Sequence, residues 1–111
     1  MKTDRELLEL AAKAAGITLR WIQGPNDDEC IHPIRRRDDG MCEVDWNPLT
    51  DDGDALRLAV RLSLLVDVTA FSVTAMVNGV ISAKEKHNGD PYAATRRAIT
   101  RAAAAIGEVK K

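Results

Sequence analysis

The sequence predicts one small α+β domain, an α/β/α sandwich in which an antiparallel sheet of about four to five strands has helices on both faces. Three segments have apolar residues at helical spacing, namely 4–15, 52–64 and 91–106. Between them lie runs rich in β-branched residues that are separated by hairpin signals. Because three amphipathic helices are too many to stack on one side of a small sheet, we expect helices on both faces.

The first helix and the first strand are predicted at the start of the chain. Thr3 followed by Glu6 is the capping-box pattern, and Gly16 ends the helix predicted over 4–15. Apolar residues then alternate with polar ones in the strand predicted over 17–22. The chain therefore begins with a helix that leads directly into a strand.

A hairpin is predicted over 31–46. The Asp-Asp-Gly run at 38–40 supplies its connection, with the glycine in the left-handed conformation that such loops need. Pro33 cannot donate a ladder hydrogen bond, so the first arm is expected at the edge of the sheet. This connection places Cys42 opposite Arg36 across the hairpin.

The second helix is predicted over 52–64. Asp51 or Asp52 is expected to cap it, because an aspartate oxygen accepts hydrogen bonds from the free N–H groups of the first turn. Helical spacing predicts a wide apolar face made of Ala55, Leu56, Ala59, Val60 and Leu62. Arg57 and Arg61 then lie together on the other side.

A long hairpin is predicted over 66–85, with Asn78-Gly79 as its turn. The run 66–77 does not alternate cleanly between apolar and polar residues. Two causes are open: a bulge near Ala70, or a sheet that is covered on both faces. The second cause agrees with the number of helices, and we favour it.

The third helix is predicted over 91–106. Asp90 is its cap, Pro91 takes its first turn, and Gly107 is expected to stop it. Its apolar stripe is predicted to hold Tyr92, Thr95, Ile99, Ala102, Ala103 and Ile106. The small alanines of this helix would let it sit close to the sheet.

Composition and charge limit the function classes. Of the 111 residues, 45% are hydrophobic and 30% charged, which is the balance of a folded protein, and the net charge is -1. No overall basic field would therefore draw the chain to nucleic acid or to an anionic membrane. The first residues lack a signal-peptide core, and no run approaches the roughly 18 apolar residues of a spanning helix. We expect a cytoplasmic protein with free thiols at Cys30 and Cys42.

Three blocks of the sequence resemble a known family. The blocks "WNPLTDDGDALRLAVRL" and "DPYAATRRAITRAAAAIG", with the opening "ELLELAAKAAGITLRW", are similar to the small phage and prophage proteins of the phage α/β/α sandwich family. The resemblance implies that fold, an origin in a phage or prophage, and residence in a bacterial host cytoplasm. It implies no reaction and no catalytic residues, and it does not reach the segment between Gln23 and Val44.

Candidate metal ligands are Cys30, His32 and Cys42, with acidic residues at 27–29, because zinc takes Cys, His and carboxylate ligands. The predicted hairpin separates the two sulfurs by roughly 20 Å, at about 3.3 Å per residue, which is too far for one ion or a disulfide. The acidic run 51–54 lacks the ligand spacing of a calcium loop, and a helix cap explains it. We therefore expect no metal and no cofactor.

Catalytic motifs are also absent from the sequence. No serine or cysteine lies in a nucleophile motif, and the glycines in the turns are isolated rather than grouped in a phosphate loop. His32 and His87 are the only histidines. We expect that the protein is not an enzyme.

Arginines are the remaining candidates for partner contact. The first candidate is the predicted hairpin tip, with Arg35, Arg36, Arg37, Asp38 and Asp39. The second is a set of i,i+4 pairs on helix exteriors, formed by Arg57, Arg61, Arg97 and Arg101. Solvated helix faces explain the second set, whereas three consecutive like charges at 35–37 repel one another and need an acidic neighbour or an external partner.

The leading functional hypothesis is a small phage- or prophage-encoded accessory protein that binds a host or phage macromolecule, in the first place a protein. Inhibition of a host defence system is one form of this. The alternative is a nucleic-acid-binding module that uses the arginine clusters, which is not favoured because stacking aromatics and a basic charge excess are missing. No membrane contact is expected, and a homo-oligomer remains open.

Overall fold

The computed structural model describes residues 2–23, 31–36, 43–78 and 80–110. Its elements in chain order are α1 (Asp4–Ala15), β1 (Leu19–Gln23), β2 (Ile31–Arg36), β3 (Glu43–Asp45), α2 (Asp52–Arg61), β4 (Leu65–Val68), β5 (Ser72–Val77), β6 (Val80–Lys86) and α3 (Pro91–Val109). The described strands form two three-stranded antiparallel sheets, sheet A in the order β1-β2-β3 and sheet B in the order β4-β5-β6. The α+β class with three helices is confirmed, but the prediction of one sheet with four to five strands is wrong.

The central element is α3. It packs along α1, against α2, and over β5 and β6 of sheet B. Towards the sheet it forms a small-residue cluster that contains Val73, Ala75, Ala83, Ala94, Ala98 and Ala102. Ile99 and Ala103 of the same helix instead join a second cluster with α1, α2 and the buried Trp46. Because most of these side chains are alanines, the layers lie close together.

Gly107 lies inside α3 and does not stop it, since the helix continues to Val109. The glycine is buried, and a Cβ built on it would lie 2.0 Å from the backbone carbonyl oxygen of Leu10 in α1. The predicted role as a helix stop is therefore wrong. The residue is a glycine because the backbones of α1 and α3 meet there without room for a side chain.

The apolar face of α2 matches the predicted one only in part, at Ala55 and Ala59. Leu58 is buried together with Ala55 and Ala59, whereas Leu56 is 64% exposed and Val60 is 71% exposed. The helix also ends at Arg61, because Ser63 adopts a left-handed conformation with φ 56°. Tyr92 of α3, predicted to face the core, is 71% exposed.

The run 66–77 is two antiparallel strands, not one, because the chain turns between β4 and β5. The Thr69 N–H donates to the Ser72 carbonyl oxygen at 2.9 Å, and the Thr69 hydroxyl oxygen accepts from the N–H groups of Phe71 and Ser72. A threonine side chain thus makes the turn without glycine or proline. The turn lies at Ala70, where a bulge was one of the two predicted explanations. It explains why the apolar residues of 66–77 change from one alternate set of positions to the other.

Sheet A differs from the predicted hairpin in register. Arg36 faces Glu43 rather than Cys42, because turn residues alone do not fix the length of the connection. The strand with Pro33 is central and not at an edge. Among the described residues β3 pairs with 34–36, so that Pro33 has β1 as its one neighbouring strand there, and this explains why the proline is tolerated.

Substituting Gly107→Ala is expected to lower the free energy of unfolding by roughly 3 kcal/mol, because the new Cβ collides with backbone and not with a flexible side chain. The matched control is Gly53→Ala in α2, where the added Cβ meets side-chain atoms of Arg57 at 3.2 Å and of Asp51 at 3.3 Å rather than backbone. That control is expected to leave stability unchanged or slightly raised. Chemical denaturation of both variants is the measurement, and equal midpoints would contradict the close helix crossing.

Substituting Ile99→Asp is expected to unfold or aggregate the protein. Ile99 is buried between α1 and α2, and an unpaired carboxylate there costs several kcal/mol out of a typical stability of about 5 to 15 kcal/mol. Arg97→Ala on the same helix is the control, expected to change stability by about 0.5 kcal/mol or less. Thermal melting of the two variants checks this, and a nearly unchanged melt for Ile99→Asp would show that the helix is turned the other way.

Candidate functional site

Three of the four arginines in the second candidate set take part in ion pairs within the fold. Arg97 contacts Asp4 of α1 at 3.1 Å, and Arg57 contacts Asp54 at 2.8 Å. Arg101 pairs with Glu85 and also donates to the backbone carbonyl of Lys84. These contacts account for the three arginines without any external partner.

Arg61 differs from the rest of this set. It lies at the last position of α2, it is exposed, and it makes no ion pair with any residue in the described ranges. It is therefore the member of the set whose charge stays available to a partner.

The first candidate set is described only in part. Arg35 lies in β2 opposite Leu19 and Val44, and Arg36 lies opposite Glu43. Arg37, Asp38 and Asp39 lie outside the described residues. The hypothesis that this hairpin tip contacts a partner therefore remains a prediction.

Arg96, which the sequence places only on the flank of α3, joins two elements. Its side chain is 18% exposed, its Nε donates to the Leu49 carbonyl oxygen at 3.0 Å, and its Nη1 contacts Asp52 at 2.6 Å. The arginine thus fixes the first turn of α2, and the chain before it, against α3. A partly buried guanidinium with two acceptors has less freedom than a surface ion pair, so it defines the distance between the helices.

Asp54 holds α2 from the other side. It is buried, it accepts the Asn47 N–H at 2.9 Å, and it accepts from Arg57 at 2.8 Å. This hydrogen bond raises the pKa of the Arg57 guanidinium above its usual value. Asp51 caps the helix by accepting the Asp54 N–H at 2.8 Å. The acidic run at 51–54 therefore sets the position and the rotation of α2.

An apolar groove lies between α2, β4 and the first half of α3. Its volume is about 580 Å³, and its lining includes Ala55, Leu56, Ala59, Val66, Val68, Tyr92, Thr95 and Ile99. Leu56, Val68 and Tyr92 are 64%, 54% and 71% exposed. The ion pair of Asp52 with Arg96 lies on its lining as well. This volume falls within the usual range of binding clefts, about 300 to 1,000 Å³.

A second depression, between α1, α3 and β6, is polar. Its charged lining residues include Lys2, Glu85, Arg101 and Glu108. These four are already matched as Lys2 with Glu108 and Arg101 with Glu85. Because its charges are satisfied internally, this depression offers a ligand less than the apolar groove does.

The candidate metal ligands are not tested by the structure, because Cys30, Cys42 and the acidic residues at 27–29 lie outside the described ranges. Among the described residues, no group of three or more His, Cys, Asp or Glu side chains is placed to hold a metal ion. None of the described helices is long and apolar enough to cross a bilayer.

Comparison of the chain with protein-family models, with curated proteins and with solved structures gives no match in any of the three. The resemblance to phage α/β/α sandwich proteins therefore stays a prediction. The case for a function rests on the groove and on the residues that form it.

Substituting Asp54→Ala is expected to cost about 1 to 3 kcal/mol of stability, because it leaves the Asn47 N–H without its acceptor and α2 without its anchor. Asp52→Ala, two residues earlier in the same turn of α2, is the matched control. Asp52 is largely exposed and pairs with Arg96, so about 1 kcal/mol or less is expected. Urea denaturation of both variants decides the point, and equal losses would mean that Asp54 does not position α2.

Proposed function

We propose that this protein acts by binding another protein, and that the apolar groove between α2, β4 and α3 is the binding site. The observation that carries the proposal is the exposed apolar lining, with Leu56, Val68 and Tyr92 each more than half exposed around one cleft. Large apolar side chains around a single cleft on a small protein are typical of an interaction site, whereas scattered ones are not.

The chemistry of the groove suits a protein ligand. Tyr92 offers a large rigid ring with a hydroxyl group at its tip, the type of residue that is enriched at binding hot spots. The ion pair of Asp52 and Arg96 provides a polar border beside the apolar lining. An apolar centre with a polar border is the usual arrangement of protein interfaces.

The same features argue against the alternative of a nucleic-acid-binding module. Arg57, Arg97 and Arg101 are engaged within the fold, and the net charge of -1 gives no attraction for a phosphate backbone. The ring of Trp21 is covered by the Arg5 guanidinium, 4.6 Å from the ring centre, so this ring face is not free to stack on a base.

The phage or prophage origin, the placement of helices on both faces of a sheet, and inhibition of a host system belong to this proposal as well. Their support is the resemblance of the three sequence blocks to the phage α/β/α sandwich family. The absence of any recognised catalytic motif in the sequence agrees with a role in binding rather than in chemistry.

The test is affinity capture from a bacterial lysate with the wild-type protein and two variants of α2. Leu56→Gln changes the groove and is expected to reduce the captured partner by tenfold or more, about 1.4 kcal/mol. Val60→Gln changes an equally exposed residue of the same helix that does not line the groove, and it is expected to retain capture.

Two further arms separate this proposal from its competitors. The double variant Arg35→Ala, Arg37→Ala tests the hairpin tip. If it loses capture of the partner while Leu56→Gln retains it, the partner binds at the hairpin tip and not in the groove. A shift of labelled DNA or RNA that weakens steeply with salt would favour the nucleic-acid alternative, because counterion release produces that dependence.

A further inference from the structure

We propose that the groove binds an extended peptide segment of the partner protein, which pairs with the free edge of β4 as a fourth strand of sheet B. The inference rests on the proposed function and specifies how that site is used. It also specifies the ligand: a segment with apolar residues at alternate positions and an acidic residue at its end.

The backbone of β4 is available for such pairing. In antiparallel sheets, hydrogen-bonded pairs alternate with non-hydrogen-bonded pairs. The Thr69 N–H bonds to the Ser72 carbonyl, and the facing pair Asp67 and Thr74 therefore bonds in the same way. The backbone N–H and C=O groups of Val66 and Val68 then point away from β5. Within the described part of the chain, no strand pairs with β4 on that side.

The opposite edge of sheet B, β6, shows how such an edge is protected. It carries Lys84 and Lys86, its register shifts beside Ala75 and Met76, and Arg101 donates to the Lys84 carbonyl oxygen at 3.2 Å. Lysines, bulges and covered backbone groups are the usual means of preventing strand addition. β4 is short and carries one charged residue, Asp67, but its four residues include no lysine or proline, and its pairing with β5 has no register shift. The two edges of one sheet therefore differ in their readiness to accept a strand.

The groove lies where the side chains of an added strand would go. Val66 and Val68 line it, so their side chains and their outward backbone groups border the same space. Residues of a paired strand that face Val66 and Val68 direct their side chains to the same face of the sheet. These alternate side chains would enter the groove against Tyr92 and Ile99, which requires them to be apolar.

The proximity of Arg61 to β4 along the chain is the reason for proposing an acidic residue in the ligand. Arg61 ends α2 and lies only a short turn before Leu65, the first residue of β4. It makes no ion pair with any residue in the part of the chain that is described. A carboxylate at the corresponding end of the added strand would provide one.

A second copy of the chain fits this edge less well than a peptide does. Pairing β4 with β4 of another copy so that Val66 faces Val68 also sets Asp67 opposite Asp67 of that copy, and directly opposed like charges are unfavourable. In addition, α2 borders the space beside β4, where a folded copy would have to place its own helices. A single extended segment requires no such space.

The probe is the acetylated and amidated peptide Glu-Val-Thr-Val-Thr-Val-Glu, and binding is measured by calorimetry and by amide hydrogen exchange of the wild-type protein. We expect a Kd below about 1 mM and new protection of the Val66 and Val68 amides, with no change at Asp67, whose amide is already bonded within the sheet. The same peptide N-methylated at its three valines lacks the donors that face β4 and is expected to bind at least tenfold more weakly.

Two protein variants provide the matched pair. Val68→Pro removes the outward N–H while leaving the bonds between β4 and β5, and it is expected to weaken the peptide at least tenfold. Val68→Thr keeps that N–H and the branched shape, and it is expected to bind within about threefold of wild type. The peptide comparison with wild-type protein stays decisive if Val68→Pro fails to fold.

Several outcomes would overturn the inference: absence of peptide binding, equal binding of the N-methylated peptide, or binding without protection of Val66 and Val68. A dimer in analytical ultracentrifugation that Val68→Pro dissociates would assign the edge to a second copy.

The lysate experiment separates the two proposals. If Leu56→Gln abolishes capture of the partner but Val68→Pro does not, the proposed function stands and strand addition is refuted. If capture of the partner is affected neither by Leu56→Gln nor by Val68→Pro, both proposals are refuted.

Discussion

The close crossing of α1 and α3 is the contact on which the rest of the structure depends. At Gly107 the two helix backbones meet with no room for a Cβ atom. This approach fixes α3 along its length, and its alanines then pack on β5 and β6 on one side and on α2 on another. A larger residue at the crossing would separate the helices and loosen every layer that rests on α3.

The groove is a consequence of how α2 is held on this central helix. Asp54 anchors α2 to the chain before it, and Arg96 ties its first turn to α3. Both contacts are polar and lie near the start of α2. They turn Leu58 inward and leave Leu56 at the surface, so that an apolar cleft remains between α2 and β4. The polar anchors thus explain why apolar side chains stay exposed.

Two arginines of α3 join this helix to other elements of the fold. Arg97 ties α3 to α1, and Arg101 ties it to β6 while occupying a carbonyl group on the edge of sheet B. Arg96, Arg97 and Arg101 thus join α3 to elements that are distant in sequence. Among the described residues, none donates to the outward backbone groups of β4 as Arg101 does to β6, and β4 borders an apolar cleft of about 580 Å³.

The sequence by itself determined the features that depend on neighbours within one helical turn. The capping box of Thr3 and Glu6 and the caps at Asp51 and Asp90 are present as predicted, because each needs only a side chain and a nearby N–H. The ion pairs of Arg97 and Arg101, which were predicted only as a secondary partner surface, and the groove, which the sequence did not predict, depend on contacts between distant segments.

Tertiary structure alone decided the role of Gly107 and the rotation of α2. A glycine near the end of a helix looks the same in the sequence whether it stops the helix or lets another helix backbone approach closely. Only the contact with the Leu10 backbone shows that Gly107 has the second role. Leu56 and Leu58 are equally apolar, so their hydropathy does not determine which of them is buried. The contacts of Asp54 fix the rotation of α2, and in that rotation Leu58 is buried. Local sequence fixes hydrogen bonds along the chain, whereas burial is fixed by which surfaces meet.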